Sequence, residues 1–153
     1  MNDSSTNEPI SNAKGYLLAI VGAAVAVFIQ MVYFNTIGLT NWVDGIVSGI
    51  IAGVCILVGY KLGKGTYGKS FPVFLAVIAG ATVIFGFVLG ITFLIYNIGE
   101  FTPVEAFRIF FDEFLFADLQ GTTLYHSQGL IDCAIAVGIA ILIVCGKHMY
   151  DRA

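Results

Sequence analysis

Residues 72–96 read PVFLAVIAGATVIFGFVLGITFLIY. The reading of this stretch decides the fold. It contains no charged side chain, and none occurs anywhere between residues 70 and 99. A helix rises 1.5 Å per residue, so about 20 apolar residues cross the hydrocarbon core of a bilayer, and this run is long enough to cross with tilt. An apolar helix at the surface of a soluble domain would show a polar stripe every three to four residues, and this segment shows none. In lipid each backbone N–H and C=O must be satisfied within the segment, which makes a helix the default spanning element.

The same reading extends outward. Residues 16–34 (YLLAIVGAAVAVFIQMVYF) and 45–60 (GIVSGIIAGVCILVGY) carry no charge, and residues 129–146 carry one, Asp132. Over the whole chain 58% of residues are hydrophobic and 11% charged, with mean hydropathy +0.92. A soluble domain has roughly 25% charged residues, so this chain has too little polar surface to cover a globule in water. These observations predict an all-α membrane protein, a bundle of four transmembrane helices over about 16–34, 45–62, 72–97 and 129–146. Residues 15–147 form one membrane domain. Residues 1–14 are a polar, disordered leader on this reading, and 148–153 a short tail.

Charge distribution sets an orientation. With the N-terminus in the cytoplasm, six of the seven basic residues fall inside: Lys14, Lys61, Lys64, Lys69, Lys147 and Arg152. Only Arg108 falls outside, in a segment that also holds Glu100, Glu105, Asp112, Glu113 and Asp118. This is the positive-inside bias, and it places both termini in the cytoplasm. Tyr16, Tyr60, Tyr67 and Tyr150 fall near the inner ends of the predicted spans, and Tyr33, Trp42, Tyr96 and Tyr125 near the outer ends, where amphipathic rings prefer to lie. The leader carries two acids and one lysine and is followed by no small-x-small site before Trp42, so the first span reads as an uncleaved helix.

Residues 63–70, GKGTYGKS, match the phosphate-loop pattern G-x-x-x-x-G-K-[ST]. A phosphate loop needs a strand before it and a sheet around it. Here an apolar, glycine-spaced run precedes it and a predicted span follows. The octet therefore reads as a glycine-rich cytoplasmic turn, and neither nucleotide nor nucleic acid is expected as a partner.

Gly45, Gly49 and Gly53 repeat every four residues, flanked by Ser48 and Ala52, as a candidate helix-packing face directed at the bundle itself or at another protein. Gly22 with Ala26, Ala76 with Gly80, Gly86 with Gly90, and Ala134 with Gly138 offer smaller versions. Asp132 stands as the one ionisable candidate within a span, at its outer end, and Gln30 as a polar residue in the outer half of the first span. Between spans three and four, TPVEAFRIFFDEFL predicts an amphipathic extracytoplasmic helix over about 103–117. Thr102 is its N-cap, Pro103 its first residue and Glu105 the partner in a capping box. Val104, Phe107, Phe111 and Phe114 share one face; Glu105, Arg108 and Asp112 share the other. Arg108 is expected to pair with Asp112 or, as a candidate outer polar pair, with Asp132. Cys55, Cys133 and Cys145 lie far apart and read as small packing residues. His126 reads as an inert surface residue. No catalytic, cofactor-binding or metal-binding residue is expected.

GIVSGIIAGVCILVGYKLGKGTYGKS, the span ending in ITFLIY and the helix TPVEAFRIFF follow one another in an order that resembles uncharacterised bacterial four-span membrane proteins, over roughly residues 15–115. Some of those carry a zinc ribbon ahead of the spans, absent here. The resemblance implies no activity; it favours the bacterial cell membrane as location. The function expected is a non-enzymatic accessory or regulatory subunit acting by helix–helix contact. The alternatives are an oligomeric small channel or transporter and, last, a membrane enzyme. The expected partners are the lipid bilayer, other membrane proteins and further copies of the chain.

Overall fold

The computed structural model describes residues 8–37, 43–65, 71–112 and 126–150. Among them the chain is helical: α1 (Glu8–Ile37), α2 (Val43–Leu62), α3 (Phe71–Ile98), the short α4 (Pro103–Ile109) and α5 (His126–Tyr150). Three helices are long and apolar enough to cross a membrane, over Ala13–Ile37, Val43–Leu62 and Val73–Ile98. Within α5, the residues whose side chains are described form the apolar stretch Ile131–Gly146. α1 begins at Glu8, so Glu8–Lys14, read from composition as leader, are helical. Once a helix is nucleated each further residue adds a hydrogen bond, and Pro9 falls in the first turn, where no N–H is needed.

The long helices pack in the ring order α1–α2–α5–α3, with α2 and α3 also touching across the middle. Gly15 meets Gly65, Gly22 faces the carbonyl of Cys55, and Gly59 faces the carbonyl of Leu18, so α1 and α2 run antiparallel. Gly86 and Gly90 face Gln30 and Phe34, so α3 runs parallel to α1. One end of the bundle therefore carries Lys14, Lys61 and Lys64, and the other Asp44 and Asp132.

Small residues set the helix spacing. Ala19, Ala26, Ala52, Ala79, Ala136 and Ala140 are wholly buried, and Tyr60, Phe34, Ile56 and Leu75 fill the volume between them. The outside is apolar as well: Leu17, Phe28, Val77 and Leu142 are 63%, 66%, 67% and 70% exposed. Water does not tolerate a continuous belt of such residues, whereas lipid does. With apolar surroundings, close van der Waals packing of backbones replaces hydrophobic drive as the force between helices.

α2 ends in a Schellman arrangement. The N–H of Lys64 donates to the Lys61 carbonyl at 2.9 Å and that of Gly65 to the Tyr60 carbonyl at 3.2 Å, with Lys64 in the left-handed region at φ 55°. Gly63, Lys64 and Gly65, the first three residues of the phosphate-loop-like octet, are thus the ending of a helix. Thr66–Ser70 lie outside the described residues.

α4 has the capping box its sequence predicts. Glu105 Oε2 accepts from the Thr102 N–H and hydroxyl, each at 2.8 Å, and the Glu105 N–H donates to Thr102 Oγ1 at 3.4 Å. A second apolar face of α4 meets the bundle. Ala106 and Phe110 are buried against the bundle, while Val104 and Phe107 are exposed. The chain widens into a π-type turn over residues 110–112, so Phe111 leans back over the core and meets Phe107 at 4.8 Å between ring centroids. Phe114 and the rest of the stretch expected to be helical to 117 lie outside the described residues.

Candidate functional site

The carboxylate end of the bundle holds a buried polar column. On α1, Gln30 and Tyr33 lie one turn apart. On α2, Asp44 and Ser48 lie one turn apart on the side that also carries Gly45 and Gly49. Asp132 approaches from α5. Gln30 and Ser48 are 0% exposed, Asp44 2% and Asp132 5%.

Two hydrogen bonds tie α1 to α2 here. The Tyr33 hydroxyl donates to Asp44 Oδ1 at 2.7 Å, and the Ser48 hydroxyl donates to Gln30 Oε1 at 2.8 Å. Gly86 on α3 makes room for Gln30: any Cβ there would land on its Oε1. Thr82, also buried, returns its hydroxyl to the Ile78 carbonyl of its own helix at 2.7 Å and takes no part. Gln30 Nε2 and Asp132 Oδ1 are buried with no hydrogen-bond partner among the described residues. Such atoms are few in native structures and call for an explanation.

Gly45 brings the backbones of α2 and α5 together at this end. A Cβ on it would sit 2.5 Å from the Asp132 main-chain oxygen and 3.1 Å from the Asp132 Cα, so the backbone beside Asp44 runs directly against Asp132. Gly49 meets Ala136 and Gly53 meets Ile143 in the same way, at 2.5 Å and 2.9 Å. The stripe Gly45, Gly49, Gly53 is therefore covered by α5. Gly22 packs on α2, and Gly86 and Gly90 pack on α1. Gly138 is different: a Cβ there would meet nothing within 4 Å, and the same holds for Gly146.

Arg108 takes Asp112, at 3.3 Å from Nε to Oδ2, with side chains 82% and 60% exposed. It does not reach Asp132, whose Oδ1 has no partner among the described residues. Of the two acids expected for Arg108, it is the local one, Asp112, that pairs with it. Helix spacing of four residues makes that local pair cheap to form, whereas Asp132 is enclosed by α2.

Asp132 is also not alone. Asp44, read as part of a loop, is the second residue of α2 and is buried. The signal for it was present: Asp44, Ser48 and Ala52 repeat every four residues beside the glycine stripe. Among the described residues no three or more His, Cys, Asp and Glu side chains gather as a metal cluster. The side chain of His126 lies outside what is described. The column offers carboxylate, hydroxyl and amide groups and no assembled nucleophile.

Compared with family models, with curated proteins and with solved structures, the chain matches none.

Proposed function

We propose that the chain is a four-span membrane protein with both termini in the cytoplasm, acting as a non-enzymatic accessory or regulatory subunit that recognises another membrane protein through α5. The observation that carries this reading is the open face of α5. The glycines of α1 and α2, and Gly86 and Gly90 of α3, lie tightly against a neighbouring helix or the chain end beside it, and Gly80 has ordinary contact with Val137 at 3.7 Å, but a Cβ on Gly138 or Gly146 would meet nothing within 4 Å. Glycine in a helix costs about 1 kcal/mol relative to alanine, and the bundle itself draws no benefit from it at these positions. Small residues on a lipid-facing helix allow a second helix to approach closely. The lysine-bearing end supports the cytoplasmic assignment, and the helix ending at Gly63–Gly65 supports reading GKGTYGKS as a turn that binds no nucleotide.

The test places a photocrosslinking side chain at Leu142, 70% exposed on the same face. In native membranes it should give a discrete adduct with a different membrane protein. Gly138→Leu should abolish that adduct and leave the melting temperature unchanged. An adduct that persists in Gly138→Leu sinks the proposal, and an adduct between two copies of the chain replaces it with self-association.

A second reading, a small channel or transporter, draws on the buried column of Gln30, Ser48, Asp44 and Asp132, because ionisable groups at membrane depth mark transport paths by default. Ion or solute flux in liposomes that is lost in Asp132→Asn would favour it over the first.

A further inference from the structure

We infer that α4 is seated in the membrane surface: its exposed apolar face, Val104 and Phe107, docks on the lipid of the leaflet at the carboxylate end of the bundle. This goes beyond the proposed function. It needs only that α3 crosses a bilayer, and it does not involve α5.

α4 has three faces. Ala106 and Phe110 are buried on the bundle, where α4 touches α3. Glu105 and Arg108 are exposed, and Asp112 joins them from the turn that follows. Val104 and Phe107 make the third face, 78% and 44% exposed. At 3.6 residues per turn these faces stand roughly a third of the circumference apart. The bundle covers the first and water suits the second. The third is apolar, and the protein leaves it open.

The position of this face selects lipid as its occupant. Phe93 and Tyr96 stack near the end of α3 with 6.1 Å between centroids, both partly exposed. Tyrosine rings in such places mark the headgroup level. α3 ends at Ile98, itself 78% exposed, and the Gly99 N–H closes the helix by donating to the Ile95 carbonyl at 3.1 Å. The Phe101 ring then folds back on the chain, since a Cβ on Gly99 would collide with it. Only Gly99–Thr102 separate the two helices, and four residues reach at most about 14 Å. α4 is therefore held at the depth where α3 leaves the bilayer, and its open face continues the lipid-covered surface of α3. A helix at that depth buries its apolar side at the boundary of headgroups and acyl chains and keeps its charged side in water. A partner approaching from water would meet Glu105 and Arg108 instead.

The experiment uses the full chain in nanodiscs with a single tryptophan as the probe. Val104→Trp, Phe107→Trp and Asp112→Trp are each made in a Trp42→Phe background. All three positions are exposed, so each variant should melt with that parent. Emission is quenched either by lipid brominated on the acyl chain close to the headgroup or by acrylamide in the water. Val104→Trp and Phe107→Trp should lose most of their emission to the brominated lipid and little to acrylamide. Asp112→Trp, on the charged side, should do the reverse. Acrylamide quenching of Phe107→Trp as strong as that of Asp112→Trp puts the face in water. Protection of Phe107→Trp from both quenchers puts protein over it, either residues 113–125 or another chain. Either result overturns the inference.

Discussion

The Ser48 hydroxyl donates to Gln30 Oε1 across 2.8 Å, and both side chains are wholly enclosed between α1, α2 and α3. Polar bonds between helices in a bilayer contribute about 0.6 kcal/mol on average, less than the dry surroundings would suggest. Ser48→Ala also strands the Gln30 oxygen, so it should cost more, about 1–2 kcal/mol. Replacing both partners (Gln30→Leu with Ser48→Ala) should cost less than the two single changes added together. Unfolding in mixed micelles, read as a double-mutant cycle, measures the difference.

Two glycines on neighbouring helices should respond in opposite ways to the same change. A Cβ on Gly49 would sit 2.5 Å from the Ala136 carbonyl oxygen, and that oxygen belongs to rigid helix backbone. Gly49→Ala should push α2 and α5 apart and destabilise by about 1–3 kcal/mol. Gly138 faces open space, and Gly138→Ala should be neutral or stabilise by up to about 1 kcal/mol. Equal melting temperatures for the two variants would contradict this packing.

Lys64 occupies the left-handed position of the α2 ending, which glycine adopts without steric cost. Lys64→Gly should therefore raise stability, by about 1 kcal/mol at most, while Lys64→Val should lower it. The ordering of the three proteins Gly, Lys, Val in thermal stability is the readout.

The Thr102 N–H, together with its hydroxyl, holds the Glu105 carboxyl below its ordinary value of 4.5. The sign follows from linkage: a depressed folded-state value stabilises above the unfolded one, and the contribution is lost as pH falls through the folded value. The protection factors of the α4 amides, the intrinsic exchange rate at each pH divided by the observed one, should fall on acidification below about pH 4.5, and Glu105→Gln should remove most of that dependence.

The Arg108–Asp112 pair is exposed on both sides, so solvent screens it. Arg108→Ala should change stability by less than about 0.5 kcal/mol. A larger loss would show that Arg108 has a second partner.

The three long helices were legible because an uncharged run of sufficient length has few alternatives, whichever residues compose it. The α4 cap was legible too, because Thr102, Pro103 and Glu105 are local chemistry. Which residues of α4 meet the bundle was not: Ala106 and Phe110 pack against it, and the spacing of Val104, Phe107 and Phe111 marked an apolar face without saying what that face meets. Local periodicity does not say which of two apolar faces meets α3. Asp44 was missed for a related reason. In TNWVDGIVSG it follows residues that read as a loop, and only its place one turn before Ser48, beneath α5, encloses it. The Gln30–Ser48 bond spans eighteen residues and depends on the register of two helices, which no single segment encodes. For Arg108 the charge pattern left two acids open, Asp112 and Asp132, and it is the one four residues on that it takes.

α5 is helical over His126–Tyr150, 25 residues that rise about 37 Å at 1.5 Å per residue, more than a hydrocarbon thickness of about 30 Å. Where a helix of that length crosses a bilayer it tilts or extends its ends among the headgroups, as the longer α1 and α3 also must. Asp132, six residues from the start of α5, then lies close to the headgroup level, where water can still reach the end of the bundle.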